Sequence, residues 1–178
     1  MDESNMRIRN MEKFALEKDA TEALRASFRL HASGVSVITL CDANGKPAGF
    51  TATSMTSLGA NPPLATFNVA RGSSTWPALQ SAKHVAIHTL GEHNLELAQR
   101  MAADHTLRFA KDDWQIGPHG LPLFTDATSI LICEIRDIHE VENNAVVILN
   151  VIEGLVGTEG SALLYYQRHY MTQGKTLN

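Results

Sequence analysis

The sequence predicts a mainly β domain: an antiparallel, closed or nearly closed sheet with a few short flanking helices. Three observations predict it. Two long runs rich in β-branched residues, 129–139 and 145–156, are separated only by Glu140-Val-Glu-Asn-Asn144 and read as one long hairpin. Asn44-Gly45, set between two shorter runs of the same kind, is a second hairpin signal. The helical stretches are short and lack the strict β-α alternation of a parallel sheet, and the strand lengths suit a barrel better than a short-stranded sandwich.

Taken in order, residues 20–30 place Ala20, Ala23, Leu24, Ala26 and Phe28 at roughly helical spacing behind a cap at Asp19 or Thr21, with Gly34 as the break. Residues 35–41 and 47–53 are the first two strands. Asn61-Pro-Pro63 closes a loop before a third strand over 64–69, which keeps its prolines ahead of the ladder. Ser73-Ser74 cap a short helix with Pro77 near its first turn, and 84–90 is the fourth strand. Residues 92–102 are a helix with Leu95, Ala98 and Met101 as its apolar stripe and Leu97 at the flank. Residues 104–124, punctuated by Pro and Gly, are expected to form a folded surface excursion anchored by Trp114. The two long runs complete a set of six strands. Leu163-Leu-Tyr-Tyr-Gln-Arg-His-Tyr170 then carries large apolar bodies that must dock on the chain's own sheet or on a second subunit.

The length of 178 residues suits one self-sufficient domain, read as 19–178 after an N-terminal extension over 1–18. With 15 basic and 19 acidic side chains the formal net charge is -4, which argues against nucleic acid or an anionic membrane as partner. No apolar run approaches the ~20 residues of a membrane helix, and residues 1–10 lack the apolar core of a leader, so a cytoplasmic protein is expected. Cys41 and Cys133 lie in apolar segments without a CxxC pattern and are expected to be buried and reduced. His84 and His88 share one face of a strand but stand roughly 13 Å apart, so no metal site is expected from them. His139 and His169 have better functional placement, although ordinary surface histidines explain them as well. No nucleophile elbow surrounds any serine, and no catalytic side chain is assigned.

Two segments carry chemistry. Thr51-Ala-Thr-Ser-Met-Thr-Ser57 places hydroxyls where a strand enters a loop, which is either a solvent-facing strand or part of an anion site. Arg71-Gly-Ser-Ser-Thr75 joins a guanidinium, a glycine and hydroxyls at a helix start. Two such clusters in one small barrel suggest a single phosphorylated ligand held between them.

Phe28-Arg-Leu-His-Ala-Ser-Gly34, Gly49-Phe-Thr-Ala-Thr-Ser54, Asn61-Pro-Pro63-Leu, Arg71-Gly-Ser-Ser-Thr75, Leu107-Arg-Phe109, Gly120-Leu-Pro-Leu123 and the Leu163-Leu-Tyr-Tyr tail occur in an order that resembles the flavin reductase-like FMN-binding split-barrel family over most of the chain. The resemblance implies a six-stranded antiparallel split barrel, a homodimer, and one FMN per subunit, with FAD possible. It also implies reduction of that flavin by NADH or NADPH and delivery of the reduced flavin to an oxygenase component. It places Thr51, Ala52, Thr53 and Ser54 along the flavin ring with Asn68 beside them. Ser57, Arg71, Ser73, Ser74 and Thr75 fall around the phosphate, and Arg108 and Phe109 close the site. Asn144, His169 and Tyr170 fall on the nicotinamide or substrate side.

The chain departs from the family pattern twice. Ser74 replaces a common arginine, so Arg71 is expected to bear the phosphate's charge alone. Asn144 stands where many members have histidine, which leaves open a second class, a flavin-binding carrier or sensor without nicotinamide-dependent activity.

Overall fold

The computed structural model describes residues 17–157 and 160–174, so the expected extension over 1–18 lies, but for its last two residues, outside the described residues. Chain order is α1 (Ala20–Arg29), β1 (Ser33–Gly34), β2 (Ser36–Cys41), β3 (Pro47–Ala52), β4 (Thr56–Ala60), β5 (Pro63–Ala70), α2 (Trp76–Ser81), β6 (His84–Thr89), α3 (Leu95–Ala102), β7 (Gln115–Ile116), β8 (Pro122–Leu123), β9 (Ser129–Val141), β10 (Asn144–Val156), β11 (Leu163–Tyr166) and β12 (His169–Thr172).

The main sheet is antiparallel in the order β3-β2-β6-β9-β10-β5-β4. Six of its strands are those the sequence predicts. The seventh, β4, was expected as loop. It is short, holds Gly59, and pairs with β5 only through a register break between Ser57 and Gly59, so it carries little of the β-branched signal that marks its neighbours. Although β3 and β5 stand far apart in the strand order, their side chains meet: Phe50 lies edge-on to Phe67 at 5.9 Å between ring centroids. The Ser54 hydroxyl, just beyond β3, accepts from the Asn68 N–H at 3.0 Å and donates to the Asn68 carbonyl at 3.2 Å. The sheet is thus rolled so that its two ends face each other and are joined by side chains, an arrangement consistent with a split barrel.

Strand periodicity sorts the apolar residues into two cores. Ile38 and Leu40 of β2, Val85 and Ile87 of β6, Phe67 of β5, and Val147 and Leu149 of β10 fill the rolled interior. The intervening Val37, Ala86 and Ile132 point the other way, under α3, Leu121, Leu123 and Phe124. β2 and β6 are therefore covered on both faces, which explains their nearly continuous apolar runs.

Helix α3 buries Leu97, Ala98 and Met101, whereas Leu95, expected in the stripe, is 37% exposed. A Cβ at Gly49 would lie 2.6 Å from the Ile38 carbonyl oxygen and 2.8 Å from the Met101 methyl, so glycine at this point permits the close packing of β3. Cys133 is fully buried as expected, and burial pushes its thiol pKa up to about 12. Cys41 is only half-buried, because it ends β2 where the strand emerges toward Gly120.

The tail docks on its own chain. β11 and β12 form a hairpin that pairs with β1, Leu163 is buried, and Tyr165 and Tyr170 pack against the outer core at 5.2 Å from each other. Exposed apolar surface is found instead on α1, which buries none of its residues although Asp19 caps it as expected; Leu24 and Phe28 are 60% and 66% exposed. Among the described residues no helix is long and apolar enough to cross a membrane.

Candidate functional site

β3 is an edge strand, so the carbonyls along its free side need partners from elsewhere. The Gly49 carbonyl accepts from the Arg108 guanidinium at 2.7 Å and from the Thr75 hydroxyl at 3.2 Å. The same guanidinium nitrogen reaches the Ser74 and Thr75 hydroxyl oxygens at 3.3 and 3.2 Å. Its other nitrogens donate to the Ala103 carbonyl at 3.2 and 2.9 Å. Arg108 is presented by the 104–124 excursion, whose Phe109 stacks on Phe124 at 5.8 Å and meets Trp114 edge-on at 5.6 Å. Burial lowers the guanidinium's pKa from its ordinary value, and an arginine remains charged at working pH regardless.

These contacts line the floor of a cleft of about 400 Å³ between β3, β5 and the loop before α2. Thr51, Ala52, Thr53, Ser54 and Asn68 line one end of it; Ser73, Ser74, Thr75 and Arg108 line the other. The two hydroxyl clusters read from the sequence therefore meet in one cavity. Their hydroxyls are not equivalent. Thr51 donates to the Ala98 carbonyl at 2.6 Å, Ser54 is tied to Asn68, and Thr75 to Gly49, so all three hold the fold together. The buried Ser73 hydroxyl has no hydrogen-bond partner. An orphaned buried hydroxyl is unfavourable by about 1–3 kcal/mol unless a ligand satisfies it.

Six expected site residues lie outside this cleft. Arg71 turns away from the cleft: it pairs with Glu140 at 2.7 Å, donates to the Glu142 carbonyl at 2.8 Å and lies 5.8 Å over the Trp76 ring. The β9–β10 hairpin provides those acceptors; Arg71, expected to carry a phosphate's charge alone, does not line the cleft, whereas Arg108 does. Ser57 sits exposed on β4, paired with Ala65, outside the cleft. Phe109 lines a separate cavity of about 620 Å³, which shares Ser74, Thr75 and Arg108 with the cleft. Asn144 opens β10 opposite Ala70 and is exposed; it lines none of these cavities. Beyond the opposite end, a third cavity of about 530 Å³ shares Thr53, Ser54 and Asn68. His169 and Tyr170 stand just after its wall, the Gln167-Arg168 turn; Tyr170 packs on Tyr165, which lines it. Sequence reasoning missed Phe50, Val69 and Ala70 in the central cleft, which give no signal apart from strand alternation.

Residues 28–174 match the model of the flavin reductase like domain. The chain belongs to this family. A probable flavin reductase of Rhizobium meliloti is 38% identical over 126 residues, 71% of this chain and 40% of that protein. The NADH:FMN oxidoreductase of Rhodococcus erythropolis is 37% identical over 151 residues, 82% of this chain and 78% of that protein. The crystal structure of a flavin reductase domain protein from Arthrobacter sp. FB24 is 44% identical with a TM-score of 0.84, covering 88% of this chain and 97% of the other. The chain thus spans less than half the length of the Rhizobium relative and most of the other two.

The cleft's donor set fits the flavin that the family name implies. A phosphate monoester requires hydroxyls and a cation at one end, which Ser73, Ser74 and Arg108 offer; an extended polar ring system requires backbone and hydroxyl edges, which Thr53, Ser54 and Asn68 line.

Proposed function

We propose that the protein is a flavin reductase that holds FMN in the central cleft and takes its reducing equivalents from NADH or NADPH. The observation that carries this reading is the unpartnered Ser73 hydroxyl in the same cavity as a guanidinium already engaged with Ser74 and Thr75. Ser73, Ser74 and Arg108 would hold the phosphate, while Thr53 and Ser54 would border the ring. Bound FMN would supply the redox chemistry, a two-electron exchange with the dihydronicotinamide donor. The protein's part is to bind, align and limit water, which asks for no acid–base pair. The cavity sharing Ser74, Thr75 and Arg108 gives an adenylate room beyond the phosphate end, so FAD is accommodated as well. A cytoplasmic setting fits a nicotinamide-dependent enzyme, and an oxygenase component is the expected consumer of the reduced flavin.

The test is absorbance of the purified protein, with anaerobic addition of NADH and then NADPH. Bleaching of the flavin band is expected. Tight flavin retention without bleaching would favour the carrier or sensor reading that Asn144 leaves open. Ser73→Ala should weaken FMN binding about fivefold, the equivalent of one neutral hydrogen bond of about 1 kcal/mol, without lowering the stability of the ligand-free protein, because no internal bond is lost. Ser54→Ala should act the other way, lowering stability through the lost Asn68 tie.

Homodimer formation is supported by the exposed Leu24 and Phe28 of α1 and Leu30 at its C-cap, which exceed what an isolated surface helix carries. Light scattering at micromolar concentration should give twice the chain mass, and Leu24→Glu with Phe28→Glu should reduce it to one. A monomeric wild type would overturn this.

A further inference from the structure

Arg108 enters the cleft from a segment with little hold of its own. Among the described residues, the backbone of 104–114 makes two backbone hydrogen bonds, from the Leu107 N–H to the Asp104 carbonyl at 3.1 Å and from the Ala110 N–H to the Leu107 carbonyl at 3.2 Å, and both stay inside the segment. None of its residues is fully buried; Phe109 and Trp114 are half-buried. Where this segment sits is therefore decided by side chains.

Two of the side chains that fix it come from α3. Glu96 and Arg100 stand one turn apart and face Lys111 and Asp113 of the segment. The Glu96–Lys111 pair, at 2.9 Å, is more than half exposed on both sides and holds weakly. Arg100 is different: its side chain is only 8% exposed, and its guanidinium lies 5.7 Å from the Phe124 ring centroid. Its two terminal nitrogens engage both carboxylate oxygens of Asp113, with Nη1 at 3.2 Å from Oδ1. Such a forked pair fixes orientation as well as distance. The remaining Nε has no hydrogen-bond partner, the Glu96 carboxylate standing 3.7 Å away. A buried guanidinium with an unsatisfied N–H is a poor way to gain stability at a place that an apolar side chain could fill. What it supplies is a fixed register between α3 and the segment.

Arg108 depends on that register. Its Nε and Nη2 donate to the Ala103 carbonyl, while the Ala103 N–H donates to the Arg100 carbonyl at 3.1 Å, so the grip of 108 on 103 is nested inside the clamp of 113 on 100. Arg100 itself lines none of the cavities described above. We infer that Arg100 is a positioning residue for phosphate binding: paired with Asp113, it seats the 104–114 segment so that the Arg108 guanidinium stands at the hydroxyl end of the cleft. The inference rests on the reading of that cleft as a flavin site.

The experiment is fluorescence titration of FMN and of riboflavin into wild type, Arg100→Met, Asp113→Asn, Asp113→Glu, Arg108→Ala and the Arg100→Met/Arg108→Ala double variant. FMN affinity should fall about tenfold in Arg100→Met and about threefold in Asp113→Asn, with riboflavin affinity within about twofold of wild type in both. Asp113→Glu keeps the carboxylate and should restore FMN binding. In the Arg108→Ala background, Arg100→Met should cause no further loss, because the residue acts through Arg108. The sign for Asp113→Asn is decisive: a field effect on the phosphate would make removal of a negative charge strengthen FMN binding, whereas loss of positioning weakens it. Asp113→Asn alters the more exposed member of the pair and carries the test if Arg100→Met does not fold. Stronger FMN binding in Asp113→Asn, equal losses for FMN and riboflavin, or an additive loss in the double variant each overturn the positioning role. A selective FMN loss in Arg108→Ala with unchanged Arg100→Met and Asp113→Asn overturns it alone, leaving the flavin site intact. A wild type that binds no FMN overturns the flavin reading and this inference with it.

Discussion

Arg108→Ala should lower FMN affinity by about 2 kcal/mol, roughly thirtyfold, while riboflavin binds nearly as well as to wild type. The guanidinium is the cation that lines the hydroxyl end of the cleft, and a charge-assisted contact to a phosphate is worth more than a neutral one. Riboflavin has no phosphate to lose. The variant frees the carbonyl of the exposed Ala103 to water, while the carbonyl of the buried Gly49 keeps the Thr75 hydroxyl as its donor, so the fold should survive with a modest loss of stability. Arg108→Lys should fall between the two, keeping the charge without the fork that reaches Gly49 and Ala103 together. Arg71→Ala is the control: its guanidinium pairs with an exposed Glu140, an interaction worth well under about 1 kcal/mol, and FMN binding should stay within twofold of wild type. Equal losses for FMN and riboflavin in Arg108→Ala would mean a collapsed cleft rather than a lost phosphate contact. A selective loss of FMN in Arg71→Ala would return the phosphate to that residue.

The contrast between these two arginines shows what a single sequence makes legible and what it hides. Arg71 sits beside Gly72, Ser73 and Ser74, so local grouping makes it the natural phosphate cation. The decision is made far along the chain, where the β9–β10 hairpin delivers Glu140 and the Glu142 carbonyl to it. Arg108 has no local hydroxyls to announce it, and reaches Ser74 and Thr75 only because Phe109, Trp114 and Phe124 dock the excursion. The six long strands were readable because branched residues and turn signals are local properties. β4 was not, since its pairing with β5 depends on a neighbour rather than on its own composition. Residues 51–54 and 73–75 of the two hydroxyl clusters line one cavity, but the division between hydroxyls bound inside the protein and the one left without a partner depends on acceptors such as Ala98 and Asn68 that the sequence does not place beside them.

Acidification from pH 6.5 to pH 4 should remove about 3 kcal/mol of folding stability through His88 alone. The ring is fully buried on β6, with Nδ1 at 3.1 Å from the Val37 carbonyl and Nε2 at 3.1 Å from the Phe124 N–H. Those partners fix the tautomer: Nδ1–H donates to Val37, and Nε2 accepts from Phe124. Burial lowers the pKa to about 4 from the usual 6.5, outweighing the Val37 hydrogen bond, which acts to raise it. Above pH 6.5 the imidazole is neutral in both folded and unfolded chains, and its pKa shift has no effect. Below 6.5 the unfolded chain takes up a proton that the folded one refuses, so stability falls with pH until the folded ring is itself protonated near pH 4. At that point Nε2 becomes a donor facing the Phe124 N–H, and the contact that pins the excursion to β6 is lost. His88→Gln keeps a donor and an acceptor but cannot charge. In urea melts it should be less stable than wild type at pH 7, and the difference should shrink steadily toward pH 4, because only the wild type loses this contribution. Stability curves that run parallel across that range would show that His88 does not titrate as its burial requires.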